Sequence, residues 1–157
     1  MTVTADVQVA CEDADVPPAA TFQTWVAAAV GQSGRAPAGD TDVAVRIVNA
    51  DEIRTMNRLY REKDTPTNVL SFPAGDIEGL PPEAPQLLGD VVVCASVVAA
   101  EAREQGKALE HHWAHMIVHG TLHLLGFDHE TDAEAAEMEA LEARILASQS
   151  VTDPYAG

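Results

Sequence analysis

Three histidines in the segment HGTLHLLGFDH, residues 119–129, have the type and spacing to bind one metal ion. His119 and His123 are four residues apart, so on a helix they lie one above the other on the same face. Gly126 can end that helix and let the chain reverse, which brings His129 back towards the same ion. Three neutral imidazoles that leave a fourth position open are typical of a catalytic zinc site, where the ion activates a bound water.

The other three histidines, His111, His112 and His115, lie in the same predicted helix. Each step of four residues turns by about 40° around a helix of 3.6 residues per turn, so His111 should point away from His123. We therefore expect His111 and His112 at the surface. His115 could chelate a metal ion together with His119. We expect it instead to hydrogen-bond a metal-binding side chain or to pack in the fold.

Two positions beside these histidines bear on the chemistry. In HExxH metallopeptidases a glutamate follows the first histidine and acts as the general base. Gly120 occupies that position here, so a peptidase would need a base from elsewhere. Asp128 precedes His129 and could orient a ligand as a hydrogen-bonded carboxylate. It could equally be a turn residue, which is the interpretation we favour.

Four of the nine basic residues, Arg54, Arg58, Arg61 and Lys63, fall within ten positions of a chain whose net charge is −16. That charge disfavours non-specific contact with nucleic-acid backbones and is compatible with docking on basic proteins. A solvated helix face explains Arg54 and Arg58 well enough. Arg61 and Lys63 instead enter a turn-rich segment, and a guanidinium binds phosphate bidentately, so Arg61 is the candidate functional cation.

The elements that must position these groups follow from hydrophobic periodicity and turn residues. They predict an α+β (mixed α/β) fold, in which one small mixed β-sheet of about four strands is flanked by about five helices. The strands are predicted over 3–11, 43–48, 69–72 and 90–94, and the helices over 21–30, 51–61, 96–105, 109–125 and 132–147.

Four finer expectations accompany these elements. Ser96 is expected to cap the third helix, and the strand DVVVC that precedes it is expected to be central. In the second helix, Leu59 and Tyr60 share the apolar side with Ile53 and Met56. Residues 74–88, rich in proline and glycine, are expected to form a surface loop.

The length of 157 residues predicts a single domain over residues 1–157. No stretch approaches the roughly 20 apolar residues that a membrane helix needs. Residues 1–10 have neither a basic head nor a long apolar run, so they are not typical of a secretory signal. A cytoplasmic location is the resulting expectation.

Three segments resemble the YbeY family of bacterial endoribonucleases, also described as rRNA maturation factors. They are NRLYREKDTPTNVLSFP at 57–73, LLGDVVVC at 87–94 and HGTLHLLGFDH at 119–129. The likeness runs from VQVACED near the N-terminus to DPY near the C-terminus and so covers nearly the whole chain.

The resemblance implies one zinc ion per chain, bound by His119, His123 and His129. It also implies that Arg61 is the basic residue of the active-site cleft, and that the fold is a small mixed sheet flanked by helices, similar to a zinc hydrolase. Phe127 stands where tyrosine is common in the family, which removes one hydroxyl.

The resemblance further implies a zinc-dependent, single-strand-specific endoribonuclease of small-subunit rRNA 3′-end maturation and ribosome quality control. Its partners would be ribosomal RNA and ribosomal proteins or assembly factors. Two alternatives remain open at this point. One is another metal-dependent hydrolase such as a peptidase, and the other is a non-catalytic ribosome assembly factor with a structural metal.

Overall fold

The computed structural model describes residues 2–12, 15–75 and 84–155, and within them the nine elements follow the predicted order. The strands are β1 (Val3–Val9), β2 (Thr41–Val48), β3 (Val69–Pro73) and β4 (Gln86–Cys94). The helices are α1 (Ala19–Gln32), α2 (Ala50–Arg61), α3 (Ala95–Gln105), α4 (Leu109–Leu124) and α5 (Asp132–Ser148). Of the loop predicted over 74–88, residues 76–83 lie outside the described residues. None of the helices described is long and apolar enough to cross a membrane.

The four strands form one mixed sheet in the order β1-β2-β4-β3. Strands β1, β2 and β4 are parallel, and β3 pairs with β4 in the antiparallel sense. Strand β4 therefore lies inside the sheet, as its β-branched residues predicted, because a strand buried on both faces needs side chains that pack on both sides. The predicted α+β class is confirmed.

The start of β4 was predicted wrongly, at Asp90 instead of Gln86, because the proline- and glycine-rich residues 74–88 were interpreted as a loop up to their end. Gly89 directly precedes the predicted start. It is part of a bulge: Asp42 pairs with Leu87 and Val43 with Gly89, which leaves Leu88 as an extra residue. Gly89 has a φ of +144°, and a side chain there would collide with the backbone carbonyl of Phe72. Glycine thus allows the strand to continue through the bulge.

The sheet separates two apolar clusters. The larger one lies between one sheet face and helices α1, α4 and α5, and it includes Val45, Ile47 and Val91. The smaller one lies on the opposite face, where Ile53 of α2 packs with Leu70. Helix α4 contacts helices α1, α3 and α5 and strands β3 and β4, so most of its surface is buried and only one edge is left for chemistry.

Helix α4 can approach the sheet closely because position 120 carries no side chain. A Cβ atom on Gly120 would lie 2.7 Å from Val91 Cγ1 and 3.2 Å from Ser71 Oγ. The Ser71 hydroxyl also donates a 2.9 Å hydrogen bond to the Gly120 carbonyl. Position 120 therefore faces the sheet and holds the helix against β3 and β4.

Two local expectations were wrong. Helix α3 begins at Ala95 directly after β4, with Cys94 as its N-cap residue and no side-chain capping bond, so Ser96 does not cap it. In α2, only Ile53 and Asn57 are buried, and Leu59 and Tyr60 are exposed although the periodicity placed them on the apolar side. The small cluster beneath α2 is too short to cover the last turn of this helix.

Candidate metal centre and its cleft

The three histidines of the sequence motif meet at the end of α4. The Gly126 amide donates to the His123 carbonyl at 3.1 Å, and Gly126 has a φ of +92°. This reverses the chain and places His129 beside the helix. Ring centroids lie 4.5 Å apart for His119 and His123 and 5.1 Å apart for His123 and His129. One nitrogen from each ring lies within 4.8 Å of the other two, which is close enough to share one ion.

Hydrogen bonds behind the rings set which nitrogen faces the centre. His119 Nδ1 lies 2.7 Å from Glu142 Oε1, and His123 Nδ1 donates to the Phe127 carbonyl at 2.9 Å. Protons used in these bonds leave both Nε2 atoms as lone-pair donors, and the two Nε2 atoms are 3.1 Å apart. Two lone pairs that face each other suit a cation, so the residues fit a metal ion that takes imidazole ligands.

The electrostatics of His123 favour the same state. Burial lowers the pKa of His123, and the charges of His119 and His129 lower it further. A lower pKa keeps the imidazole neutral near pH 7, and only the neutral ring can bind a metal.

Glu142 of α5 is the site residue that sequence reasoning missed. Its side chain is 1% exposed and accepts from His115 Nε2 at 2.9 Å, from His119 Nδ1 at 2.7 Å and from the Tyr155 hydroxyl at 2.6 Å. Burial alone would raise the pKa of Glu142, but the three hydrogen bonds outweigh it and lower the pKa to about 2. A buried, ionised carboxylate therefore orients His119.

A sequence signal for Glu142 existed. It lies four residues after Met138 and four before Leu146, both of which are buried in the core. An acidic residue on an apolar stripe is rarely buried without a partner, so its position called for a cation or a hydrogen-bond donor.

Three residues, His115, His119 and Glu142, also form a second group whose ligand atoms lie within 4.8 Å of one another. In this group the carboxylate already accepts hydrogen bonds from both rings. We interpret it as the support of the three-histidine centre, in which His115 is hydrogen-bonded to Glu142 and its ring lies edge-to-face with that of His119. Asp128 accepts from the amide of the adjacent His129 at 2.8 Å, and it lines the cleft.

The expectation that His112 lies at the surface was wrong. Its side chain is 3% exposed, and its Nε2 lies 2.9 Å from Glu101 Oε1 because α3 packs across this part of α4. Burial lowers the pKa of His112, although Glu101 opposes the change. Glu101 also accepts from Asn68 Nδ2 at 3.1 Å. Glu101 therefore links residues 66–68, which precede β3, to helices α3 and α4. His111 is half-buried.

The predicted basic cluster divides into two parts. Arg54 forms a two-pronged pair with Asp64, with N–O distances of 2.9 and 3.2 Å. By contrast, among the described residues no carboxylate lies within ion-pair distance of the Arg61 or Lys63 side chain. These two cations line the cleft, of about 630 Å3, that also contains His119, His123 and His129.

The loop that carries these cations is held by Asn57, which is buried in α2. Its Nδ2 donates to the Thr65 carbonyl at 2.9 Å, and its own carbonyl accepts from the Lys63 amide at 3.3 Å. Glu62 between them adopts a left-handed φ of 60°. Helix α2 therefore ends so that Arg61 and Lys63 point at the cleft that the histidines line.

Comparison with known proteins decides the family. The family model described as Endoribonuclease YbeY matches residues 7–150 of this chain. The chain belongs to the YbeY family. The match includes the histidine centre, the cationic loop and Glu142, so the YbeY pattern spans the whole cleft.

Curated YbeY relatives agree over nearly their full lengths. A protein of Halorhodospira halophila, named Endoribonuclease YbeY, is 56% identical over 90% of this chain and 90% of its own length. Relatives of the same name from Stenotrophomonas maltophilia (strain R551-3) and Colwellia psychrerythraea are 57% and 45% identical. They cover 92% and 96% of this chain, and 88% and 95% of their own lengths.

A solved structure shares the fold. The solution structure of TM1509 from Thermotoga maritima superposes with a TM-score of 0.56 and 24% sequence identity. The match covers 96% of this chain and 99% of the other. At this identity the likeness supports the fold alone.

Proposed function

We propose that this YbeY family member is an endoribonuclease that cuts single-stranded RNA in the cleft between the histidine centre and the α2 loop. The family match supplies the reaction class, since the curated relatives carry the name Endoribonuclease. The observation that carries the proposal is the cleft itself, which is lined by three imidazoles and by two cations that have no carboxylate partner among the described residues. A bound metal ion that activates water and a positive group near the phosphate both accelerate phosphodiester cleavage.

We propose zinc as the ion and His119, His123 and His129 as its ligands. Three imidazoles favour zinc, although nickel or copper can occupy such ligands in vitro. When bound, zinc supplies Lewis acidity and an activated water at neutral pH. Glu142 holds the proton on His119 Nδ1 and thereby keeps Nε2 directed at the centre.

Arg61 and Lys63 are assigned to the phosphate. Neither side chain forms an ion pair with a carboxylate among the described residues. Both can therefore pair with phosphate oxygens as negative charge grows during cleavage. Arg61 can bind two oxygens at once, whereas Lys63 acts as a point charge.

The proposed substrate is the 3′ region of small-subunit ribosomal RNA, which places the protein in the cytoplasm with assembling ribosomes. The net charge of −16 would repel free RNA at long range. We therefore propose that ribosomal proteins or assembly factors deliver the enzyme to its site, because a basic protein surface complements this acidic one. Naked RNA that is cut as fast as RNA in particles would contradict this delivery.

The peptidase alternative loses support from position 120. A Cβ atom there would meet Val91 at 2.7 Å inside the sheet contact, so a glutamate at this position could not reach the cleft. The cleft offers no HExxH-type base at the place where such enzymes carry it.

The test uses purified small-subunit precursor particles incubated with the wild-type protein, Arg61→Ala and His119→Ala. RNA ends are mapped, and metal content is measured on the same preparations. The wild type should cut near the 3′ end, and both variants should fail, with Arg61→Ala still holding its metal. Equal cutting by all three preparations would assign the activity to a contaminant and would favour a non-catalytic assembly factor whose metal is structural.

A further inference from the structure

The most exposed aromatic ring of the described chain lies next to the cleft and has no role in the site described above. Tyr60 is 67% exposed, on the last turn of α2. It precedes Arg61 in the chain, so an exposed ring and a cation leave the helix side by side.

Tyr60 has a defined orientation in spite of its exposure. Its ring lies edge-to-face with Phe72, with centroids 5.2 Å apart and planes at 68°. Phe72 in turn packs against the small apolar cluster that includes Ile53 and Leu70. An edge-to-face contact uses at most one face of the Tyr60 ring and leaves another open to solvent.

The ring and the cations share one groove. Tyr60, Phe72, Arg61 and Lys63 line a groove of about 470 Å3 together with Leu70 and Ser71. Arg61, Lys63, Leu70 and Ser71 also line the histidine cleft, so the groove and the cleft adjoin at these four residues. A chain bound at the metal centre can extend directly past the ring.

This order of groups matches the chemistry of a single nucleic-acid strand. A strand alternates charged phosphates with flat bases, and an exposed aromatic ring beside cations binds unpaired bases by stacking. A base in a duplex has both faces covered by its neighbours and cannot stack in this way. We propose that Tyr60 stacks an unpaired base of the RNA next to the phosphate held by Arg61 and Lys63, and that this subsite selects single strands.

The proposal rests on the proposed function, because it assigns a subsite to the same substrate. A protein partner bound to Leu59 and Tyr60 is the competing occupant, since both side chains are exposed. The groove favours RNA, because the two cations that line it with the ring have no carboxylate partner in the part of the chain that the structure describes, while Leu59 lies outside it.

The experiment compares wild type with Tyr60→Ala, Tyr60→Phe and Leu59→Ala, all loaded with zinc. Leu59 is the matched control, because it is 65% exposed on the same turn and does not line the groove. The probe is a short single-stranded RNA with 2-aminopurine at successive positions, whose fluorescence falls when the base stacks. Cleavage of the same RNA gives KM and kcat separately, and a hairpin of matched sequence measures duplex binding.

Tyr60→Ala should weaken single-strand binding by roughly 5- to 150-fold, the effect of losing one stacked base. It should raise KM with little change in kcat and leave duplex binding as it was, because the ring contributes only to an unpaired strand. Tyr60→Phe should restore both binding and quenching, and Leu59→Ala should match wild type.

Three results would overturn the subsite. If Tyr60→Ala bound the RNA and quenched the 2-aminopurine fluorescence as strongly as wild type, the ring would have no part in RNA recognition. An equal loss in Leu59→Ala would assign the effect to the helix end instead of stacking. Normal cleavage of the short RNA with loss only in ribosomal particles would make the patch a protein contact. If the wild type neither binds nor cuts this RNA and also leaves small-subunit precursor particles uncut, the proposed function fails first, which separates the two hypotheses.

Discussion

The two walls of the cleft differ in how their functional groups are held. On the histidine wall, the side chains of His119 and His123 are fixed from behind by Glu142 and by the Phe127 carbonyl. On the cationic wall, the backbone is fixed by Asn57, but Arg61 and Lys63 reach into the cleft without a carboxylate partner among the described residues.

The difference matches two kinds of binding. A metal ion demands ligand positions within tenths of an ångström, which requires rings that are oriented before the ion arrives. A phosphate that changes shape and charge during cleavage is better met by long cations on a firm backbone. Substitutions on the two walls should therefore have separable effects.

Arg61→Ala should give the largest effect on the cationic wall. Removal of a charge aimed at the growing phosphate charge should lower kcat by about 10²- to 10³-fold. Zinc content should not change, because Arg61 touches none of the histidines. Arg54→Ala is the control, since Arg54 pairs with Asp64 outside the cleft and should cleave like wild type. Loss of zinc from Arg61→Ala would show that the walls are not separable.

Glu142→Gln should affect the opposite wall. Loss of the charge that holds the His119 proton should weaken zinc binding by roughly 10- to 100-fold. Competition with a chromophoric chelator measures this affinity without any activity assay. Glu139→Gln on the same helix is exposed and should bind zinc like wild type. Equal affinities in the two variants would remove Glu142 from the support of the centre.

Gly120→Ala tests how the histidine wall is seated on the sheet. The added methyl group would meet Val91 at 2.7 Å, so we expect a loss of about 1–3 kcal/mol in the free energy of unfolding, measured with urea. Gly31→Ala, in α1 with nothing near its Cβ, should instead stabilise the fold by about 0.5–1 kcal/mol. If both variants changed the free energy of unfolding in the same direction, the packing argument would be contradicted.

His112→Gln should give the smallest effect, in the pH dependence of stability. Because burial lowers the folded pKa of His112 below 6.5, the unfolded state takes up this proton first. Stability should therefore fall as the pH drops below about 6.5, and the variant should lose part of that fall. Urea unfolding of metal-free protein between about pH 7 and 5, with His111→Gln as control, measures it. If the free energy of unfolding depended on pH in the same way in wild type and His112→Gln, His112 would not contribute to the fall in stability.

The sequence predicted what is local in this fold. The placement of His119, His123 and His129 follows from helix pitch and one glycine turn, and both are readable over eleven residues. The order of strands and helices follows from periodicity in the same way. The bulge at Gly89 was missed because a glycine that permits an irregular strand reads the same as one that ends it.

What the sequence did not reveal depends on contacts between distant elements. His112 is buried only because α3 crosses α4, and Tyr60 is exposed only because the cluster beneath α2 ends early. The role of Glu142 needs α5 to pack beside α4, and only its place on an apolar stripe hinted at a partner. Position along one element was predictable, whereas the partner across the fold was not.

The contact of Gly120 with Val91 also has a consequence for sequence drift in this family. The two positions occupy one shared volume, so each limits what the other can become. A branched residue at 91 should occur only with glycine at 120, and alanine at 120 should become acceptable after Val91 has been replaced by alanine. Position pairs such as this one would appear as covariation in an alignment, although neither residue touches substrate or metal.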